Sequence, residues 1–251
     1  MTLGATVLQQ AWRCLIIARK DIRIYYSKGP VIIFGVLFPV FLFLSFTIGR
    51  HLEVDFMIPG LMGMILFFTA TSISPIVVPW EAQARTLERL MSCPVWFGTI
   101  ILGDILASFA FGIVISLVPI IIGLALGVTV SGPVIFAIAV ILAALCFAAL
   151  GNVFSIPPTN LPATVNMIAS VVKFPVVFIS GIFISLNELP TWAQGIAYIS
   201  PLTYFTDIAR HSMQSEGHPP VYVDLLALLA FTVLLLTIAV TLHQRTMPRR
   251  I

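Results

Sequence analysis

The chain has 251 residues, of which 59% are hydrophobic and 9% are charged, whereas ordinary soluble domains carry roughly 25% charged residues. Thirteen Lys and Arg residues against ten Asp and Glu residues give a net charge of +3, which is too little basic charge to coat a nucleic-acid backbone. Composition therefore excludes a soluble enzyme and a nucleic-acid binder, and it predicts an integral membrane protein.

The hydropathy pattern predicts one amphipathic segment followed by six membrane spans. Residues 7–28 interleave apolar side chains such as Trp12, Leu15 and Ile16 with basic ones, which favours a helix lying in the membrane interface. A transmembrane helix needs roughly 20 mostly apolar residues. The stretches that meet this requirement are 31–49, 56–79, 98–128, 134–154, 163–184 and 221–242.

We therefore predict an all-α membrane protein with a single domain. Residues 1–30 would contain the interfacial helix, 31–242 the six-helix membrane domain, and 243–251 a tail. With six spans, both termini lie on one side, where ten Lys and Arg residues collect. The opposite side has only Arg50 and Arg210. The positive-inside rule predicts that both termini are cytoplasmic.

Residues 80–95, between the second and third spans, have a helical pattern on the predicted cytoplasmic side. Glu81 and Arg85 are spaced i,i+4, and Arg85 and Glu88 are spaced i,i+3, so these charges could pair along one helix face. The apolar flank consists of Leu87, Leu90 and Met91, and Pro94 marks the end. Such a helix is suited to docking in a partner's groove, although the pattern also fits an ordinary interfacial connector.

The same segment resembles the cytoplasmic signature of the type-2 ABC exporter permeases. The matching residues are Glu81, Thr86, Leu87, Glu88, Arg89, Leu90 and Pro94. That family usually has Gly before its Thr-Leu-Glu, whereas this chain has Arg85. Because Arg is a better helix former than Gly, the substitution predicts a continuous helix through this position.

A second stretch, after the fifth span, is similar to the same family. The matching residues are Ser180, Gly181, Leu189, Pro190, Trp192, the run Ser-Pro-Leu-Thr-Tyr at 200–204, and Arg210. The family often has Pro after its Ser-Gly-x-x-x, where this chain has Ile184 or Ser185. Together with the N-terminal helix and the six spans, the resemblance covers nearly the whole chain.

The resemblance implies a permease subunit in the cytoplasmic membrane of a prokaryote. Two permease copies would form the substrate pathway, and each would bind a separate ATPase subunit that carries ATP and magnesium. The pathway would export a lipophilic compound, such as a drug, a lipid or a glycolipid, from the cytoplasm or the inner leaflet. Residues 186–210 would form short extracellular re-entrant helices. The implied coupling residues are Glu81, Arg85, Thr86, Leu87, Glu88, Leu90 and Pro94.

Lys173 lies near the middle of the fifth span, where a lysine costs roughly 2.5–3.5 kcal/mol on insertion scales. It could line the pathway and attract an anionic headgroup. Alternatively, it could be a buried lysine that snorkels or pairs with a carboxylate such as Asp104. Pro175, two residues later, predicts a kink that would serve as a hinge or only as a packing feature.

An enzyme and a secondary transporter are the two alternatives to an ATP-driven permease. An enzyme is disfavoured because the four histidines lie in loops or at a helix end, and the sequence has no H-E-x-x-H or G-x-S-x-G motif. The chain also has no P-loop, so we expect no cofactor bound to it directly. A secondary transporter could use Lys173 and Asp104 to couple to a gradient, and transport that persists without ATP would favour it.

Overall fold

The computed structural model describes residues 3–26, 33–48, 54–157, 159–214 and 220–246, and these residues form helices joined by turns, without a strand. The α-helices are α1 Leu3–Asp21, α2 Phe38–Thr47, α3 Val54–Ser72, α4 Ser74–Gln83, α5 Thr86–Met91, α6 Phe97–Ala125, α7 Pro133–Phe154, α8 Pro162–Ile179, α9 Thr191–Ala197, α10 Pro201–Gln214 and α11 Val221–Thr246. Short π-helical segments occupy Ile22–Tyr26 and Ile33–Leu37, and a 3-10 turn occupies Leu186–Glu188.

Five stretches of helix in the described part of the chain are long and apolar enough to cross a membrane. They are Phe56–Gln83, Phe97–Ala125, Pro133–Phe154, Pro162–Ile179 and Val221–Thr246. They confirm a multi-pass helical membrane protein. The described part of the first predicted span contains a shorter apolar helix, Gly35–Ser45. The predicted ends of that span, and residues 247–251 of the tail, lie outside the described residues, so the count of six and the sidedness stay predictions.

The helix α3 occupies the centre of the bundle, where it packs against α6, α7 and α10. Aromatic rings fill the space between these helices: the Phe67 and Phe147 centroids lie 5.2 Å apart, and those of Phe147 and Phe205 lie 6.3 Å apart. Because lipid tails are as apolar as the side chains, close packing of this kind stabilises helix association in a membrane.

The second predicted span is divided into two helices at Ile73. Pro75 stands at the first turn of α4 and has no N–H, so it leaves the carbonyl of Thr71 without the donor that a continuous helix would supply. A residue of α7 contacts the break: the Asn152 amide donates to Ser74 Oγ at 3.0 Å. The span is therefore bent at a defined point that other helices contact.

The N-terminal helix α1 packs along α6. At the contact, Gly103 leaves room for Ile17, since a Cβ on Gly103 would lie 2.6 Å from Ile17 Cγ2. Ile17 and Ala18 are buried on this inner face, whereas Trp12 and Leu15 are more than half exposed on the outer face. The predicted helix is confirmed, and its location in the membrane interface stays a prediction.

The fifth predicted span ends earlier than expected, at Ile179 rather than 184. The chain turns at Gly181, whose φ is +78°, a conformation that favours glycine. Short helices then follow, from the 3-10 turn through α9 to α10, which continues to Gln214. The predicted short helices of residues 186–210 are therefore present, and their re-entrant position relative to the membrane stays a prediction.

Candidate functional site

The predicted continuous helix through residues 81–94 is wrong. The helix α4 ends at Gln83, and Arg85 adopts a left-handed backbone with φ 54° and ψ 20° before α5 begins at Thr86. The Thr86 hydroxyl donates to the Glu81 carbonyl at 3.2 Å and so satisfies an end of α4. The helix propensity of Arg85 does not decide the structure here, because the chain must turn at this point. The position where the family that this sequence resembles usually has Gly is the one with positive φ.

The short helix α5 is anchored by one side chain and exposes the next two. Leu87 is 1% exposed and packs in a cluster that includes Ile101 of α6 and Ala239 of α11. Glu88 and Arg89 are exposed. The apolar flank predicted from the sequence is therefore confirmed as an inner face, and a charged outer face remains available at this end of the molecule.

Glu81 does not pair with Arg85, contrary to the i,i+4 prediction. Its carboxylate is buried and accepts a hydrogen bond from Lys20 of α1, which also lies 2.9 Å from Asp21. Arg85 instead is exposed. The prediction was wrong because it assumed one helix, whereas the break at Arg85 carries the guanidinium away from the face on which Glu81 lies.

The junction between α1, α4 and α6 concentrates charge in a buried place. Burial alone would lower the pKa of Lys20, but the nearby carboxylates of Asp21, Glu81 and Asp104 outweigh it and raise that pKa above its ordinary value. Burial, with the negative charge of Glu81, raises the pKa of Tyr25 to about 12. The Tyr25 ring also stacks on Trp80, with centroids 5.5 Å apart. These contacts join α1 to the end of α4.

The segment that follows α5 is also held by α1. Gln10 is buried, and its amide donates to the Pro94 carbonyl at 3.3 Å while its oxygen accepts from Trp96 N at 3.3 Å and Thr99 Oγ1 at 3.0 Å. Arg13 donates to the same Pro94 carbonyl. The helix α1 thus contacts the chain on both sides of α5, so a force on α5 would reach α1 as well as α4 and α6.

Lys173 lies in α8 and is 3% exposed. Its ammonium donates to the Thr71 carbonyl at 2.6 Å, the carbonyl that Pro75 leaves free at the break in the second span. The suggested pairing with Asp104 is wrong: Asp104 faces Asp21 and Lys20 at the junction with α1. In the described part of the chain, no carboxylate pairs with Lys173.

A cavity of about 400 Å³ lies beside Lys173, between α2, the second span and α8. Its lining residues are Phe38, Phe68, Ser72, Ile73, Ile76, Trp80, Pro162, Ala163, Asn166, Ser170, Lys173 and Phe174. Pro175 does not line it, and α8 continues through Pro175 to Ile179. Of the two candidate pathway residues, Lys173 therefore lies at a cavity, whereas Pro175 is exposed on another face of α8.

The second sequence motif forms a compact contact at the opposite end of the bundle. Ser180 Oγ and Ser200 Oγ lie 2.9 Å apart, and the Arg210 guanidinium donates to the Ile182 carbonyl at 3.3 Å. The same guanidinium lies 4.2 Å from the centroid of the Phe56 ring. Arg210 therefore connects α10 to the turn after α8 and to the start of the second span.

Sequence reasoning missed three residues of α1 that contact the predicted coupling segment: Gln10, Arg13 and Lys20. No local pattern identifies them, because their partners lie 61 to 89 residues away. The acceptor of Lys173 is a different case. A proline four residues after Thr71 is a visible sign of a free carbonyl in a membrane helix.

Comparison with known proteins agrees with the resemblance. Residues 9–213 match the model of the family described as ABC-2 type transporter. The chain is 23% identical over 229 residues to the daunorubicin resistance ABC transporter permease protein DrrB1 of Streptomyces coeruleorubidus. The aligned region covers 86% of this chain and 77% of that protein.

Two Escherichia coli proteins are also similar. The inner membrane transport permease YadH is 24% identical over 193 residues, covering 76% of this chain and 75% of that protein. The probable multidrug ABC transporter permease YbhR is 25% identical over 163 residues, covering 62% of this chain and 42% of that protein. All three relatives are named as permeases.

Proposed function

Because the chain belongs to the ABC-2 type transporter family, we propose that it is a permease subunit that works as a dimer and is driven by separate ATPase subunits. The complex exports a lipophilic compound, such as a drug, a lipid or a glycolipid, from the cytoplasm or the inner leaflet of a prokaryotic cytoplasmic membrane. ATP and magnesium bind to the ATPase subunits. Both termini of the permease are cytoplasmic.

The observation that carries this proposal is the construction of α5. The helix is held inside the bundle by Leu87, and it presents the exposed charges of Glu88 and Arg89 away from it. A helix that is anchored on one face and charged on the other can dock on a partner without leaving its own bundle. The ATPase engages this outer face, whose orientation is set by the turn at Arg85.

The contacts of α1 determine which helices move when the ATPase moves α5. Lys20 joins α1 to Glu81 before α5, and Gln10 joins it to the chain after α5. Movement of α5 therefore shifts the cytoplasmic ends of the second and third spans together with α1. The break at Ile73 lets the rest of the second span change its angle, and Lys173 transmits that change to α8.

The proposal is tested by affinity purification of the chain from native membranes in a mild detergent, followed by mass spectrometry. We expect a P-loop ATPase in equal amount with the permease. The double charge reversal Glu88→Lys with Arg89→Glu should release the ATPase. The matched control is Glu188→Lys, which reverses an exposed charge in the predicted extracellular segment and should retain it.

Two results would contradict the proposal in different ways. If the double variant retains the ATPase as well as the wild type does, α5 is not the docking site. If the wild-type permease is purified without an ATPase and transports without ATP, the gradient-driven alternative is favoured, and Lys173 and Asp104 become its candidate coupling groups.

A further inference from the structure

The cavity between α2, the second span and α8 has two different walls. One wall is a polar stripe on α8 formed by Asn166, Ser170 and Lys173, which recur at helical spacing and so share one face. This stripe extends over seven residues, or about 10 Å along the helix axis. The facing wall is mostly apolar and contains Ile76 and Trp80 of α4.

Three phenylalanine rings line the same cavity as Lys173. The Phe38 centroid lies 5.6 Å from that of Phe68 and 5.8 Å from that of Phe174, and the Phe68 and Phe174 centroids are 6.2 Å apart. Because the rings contact one another, they form one continuous apolar surface in the cavity that Lys173 also lines. An occupant would meet a single charge and a broad aromatic surface at the same time.

The charge of Lys173 is not balanced within the described part of the chain. Among the described residues its hydrogen-bond acceptor is the neutral carbonyl of Thr71, and an ammonium group has three N–H donors. A buried cation in a membrane protein ordinarily pairs with an anion or faces a functional cavity. Lys173 lines such a cavity, so a ligand anion can supply the missing counter-charge.

From this geometry we propose that the cavity binds an amphiphile with one anionic headgroup, which rests on Lys173 while its apolar part lies along Phe38, Phe68 and Phe174. A volume of about 400 Å³ falls in the range of roughly 300–1,000 Å³ that drug-sized ligands occupy. A single lysine matches a single negative charge, such as a carboxylate. As a statement about the transported substrate class, this inference rests on the proposed function.

The test uses the tryptophan that lines the cavity as its reporter. In a variant with Trp12→Phe, Trp96→Phe and Trp192→Phe, only Trp80 remains of the four tryptophans. The purified permease, without an ATPase, is titrated in neutral detergent with dibromostearate and with the alcohol and the trimethylammonium compound that carry the same brominated tail. Bromine quenches tryptophan fluorescence on contact, so quenching reports occupation of the cavity.

We expect dibromostearate to half-saturate quenching at a concentration about tenfold or more below that of the alcohol, the ratio that one charge-assisted hydrogen bond supplies. The ammonium compound should bind no better than the alcohol. Lys173→Gln should reduce the ratio to about one, because its amide can still donate to the Thr71 carbonyl but has no charge. Lys173→Arg should preserve the preference, and so should the exposed control Arg19→Gln.

Equal quenching by the carboxylate and the alcohol in the parent protein would overturn the inference, as would a Lys173→Gln variant that keeps the preference. If Lys173→Gln does not fold, the three headgroups on the parent protein decide by themselves. Because the titration contains no ATPase, its outcome is independent of the co-purification test. A permease that retains its ATPase but shows no anion preference refutes only this inference.

Discussion

The left-handed backbone of Arg85 leads to a prediction with an unusual sign: replacing an arginine by glycine should stabilise the protein. At φ 54° an L-residue is strained by roughly 1–2 kcal/mol, and glycine relieves that strain. Glycine also gains freedom in the unfolded chain, which opposes the gain by about 0.4–1 kcal/mol. Since Arg85 is exposed and loses little packing, Arg85→Gly should raise the free energy of unfolding by about 0.8 kcal/mol, within about 0–1.6.

The matched control is Arg89→Gly, which makes the same chemical change four residues later inside α5. There glycine should lower the free energy of unfolding by about 0.8 kcal/mol, because the helix loses its more favourable residue. The two variants should therefore have effects of opposite sign that differ by about 1.6 kcal/mol. The assay is equilibrium unfolding in mixed micelles with increasing dodecyl sulfate, followed by far-ultraviolet circular dichroism.

Equal destabilisation by both substitutions would refute the reasoning, since it would mean that Arg85 is helical in the folded protein. Co-purification of the ATPase provides a separate measurement on the same variants. Because the resembling permeases usually have Gly at this position, Arg85→Gly should retain the ATPase. A loss of binding in this variant would instead assign the Arg85 side chain to the docking surface.

The remaining predictions concern α1. Gln10→Ala should lower the free energy of unfolding by about 1–3 kcal/mol, because it leaves the buried Thr99 hydroxyl without its acceptor; the same unfolding assay measures it. Its exposed neighbour Gln9 is the control, and Gln9→Ala should change that energy by less than about 0.5 kcal/mol. Folding raises the pKa of both Lys20 and Tyr25. The stability that these two groups contribute is therefore complete below their unfolded pKa values of about 10, and it is lost as the pH rises through the folded values. Unfolding measured from pH about 8 to about 12 should show this loss, and Tyr25→Phe should make it shallower; an unchanged slope would contradict the assigned environment of Tyr25.

Local patterns predicted the features that depend on a few neighbouring residues. The apolar runs indicated the long helices because the bilayer sets a minimum length for a span. The signature at 81–94 predicted the family and a coupling segment, and the apolar flank of α5 faces inward as its spacing requires. Even the acceptor of Lys173 could be inferred in principle, since Pro75 must leave the Thr71 carbonyl without a helical donor.

The same local rules failed at Arg85. Helix propensity differs by about 0.8 kcal/mol between Arg and Gly, and the packing of a buried leucine outweighs this difference. Leu87 must reach the cluster between α6 and α11, and this requires the chain to turn after Gln83. Glu81 and Arg85 consequently lie on different surfaces, so the i,i+4 pairing predicted for a single helix cannot form.

The sequence by itself therefore determined a helical membrane protein and its family signature. Only the tertiary structure decided which polar groups pair. Lys20 pairs with Glu81, Gln10 with Thr99, and Lys173 with the Thr71 carbonyl rather than with Asp104. These partners are between 61 and 102 residues apart. Periodicity describes which side of a helix is apolar, but the partner of a buried polar group depends on how whole helices pack, bend and end.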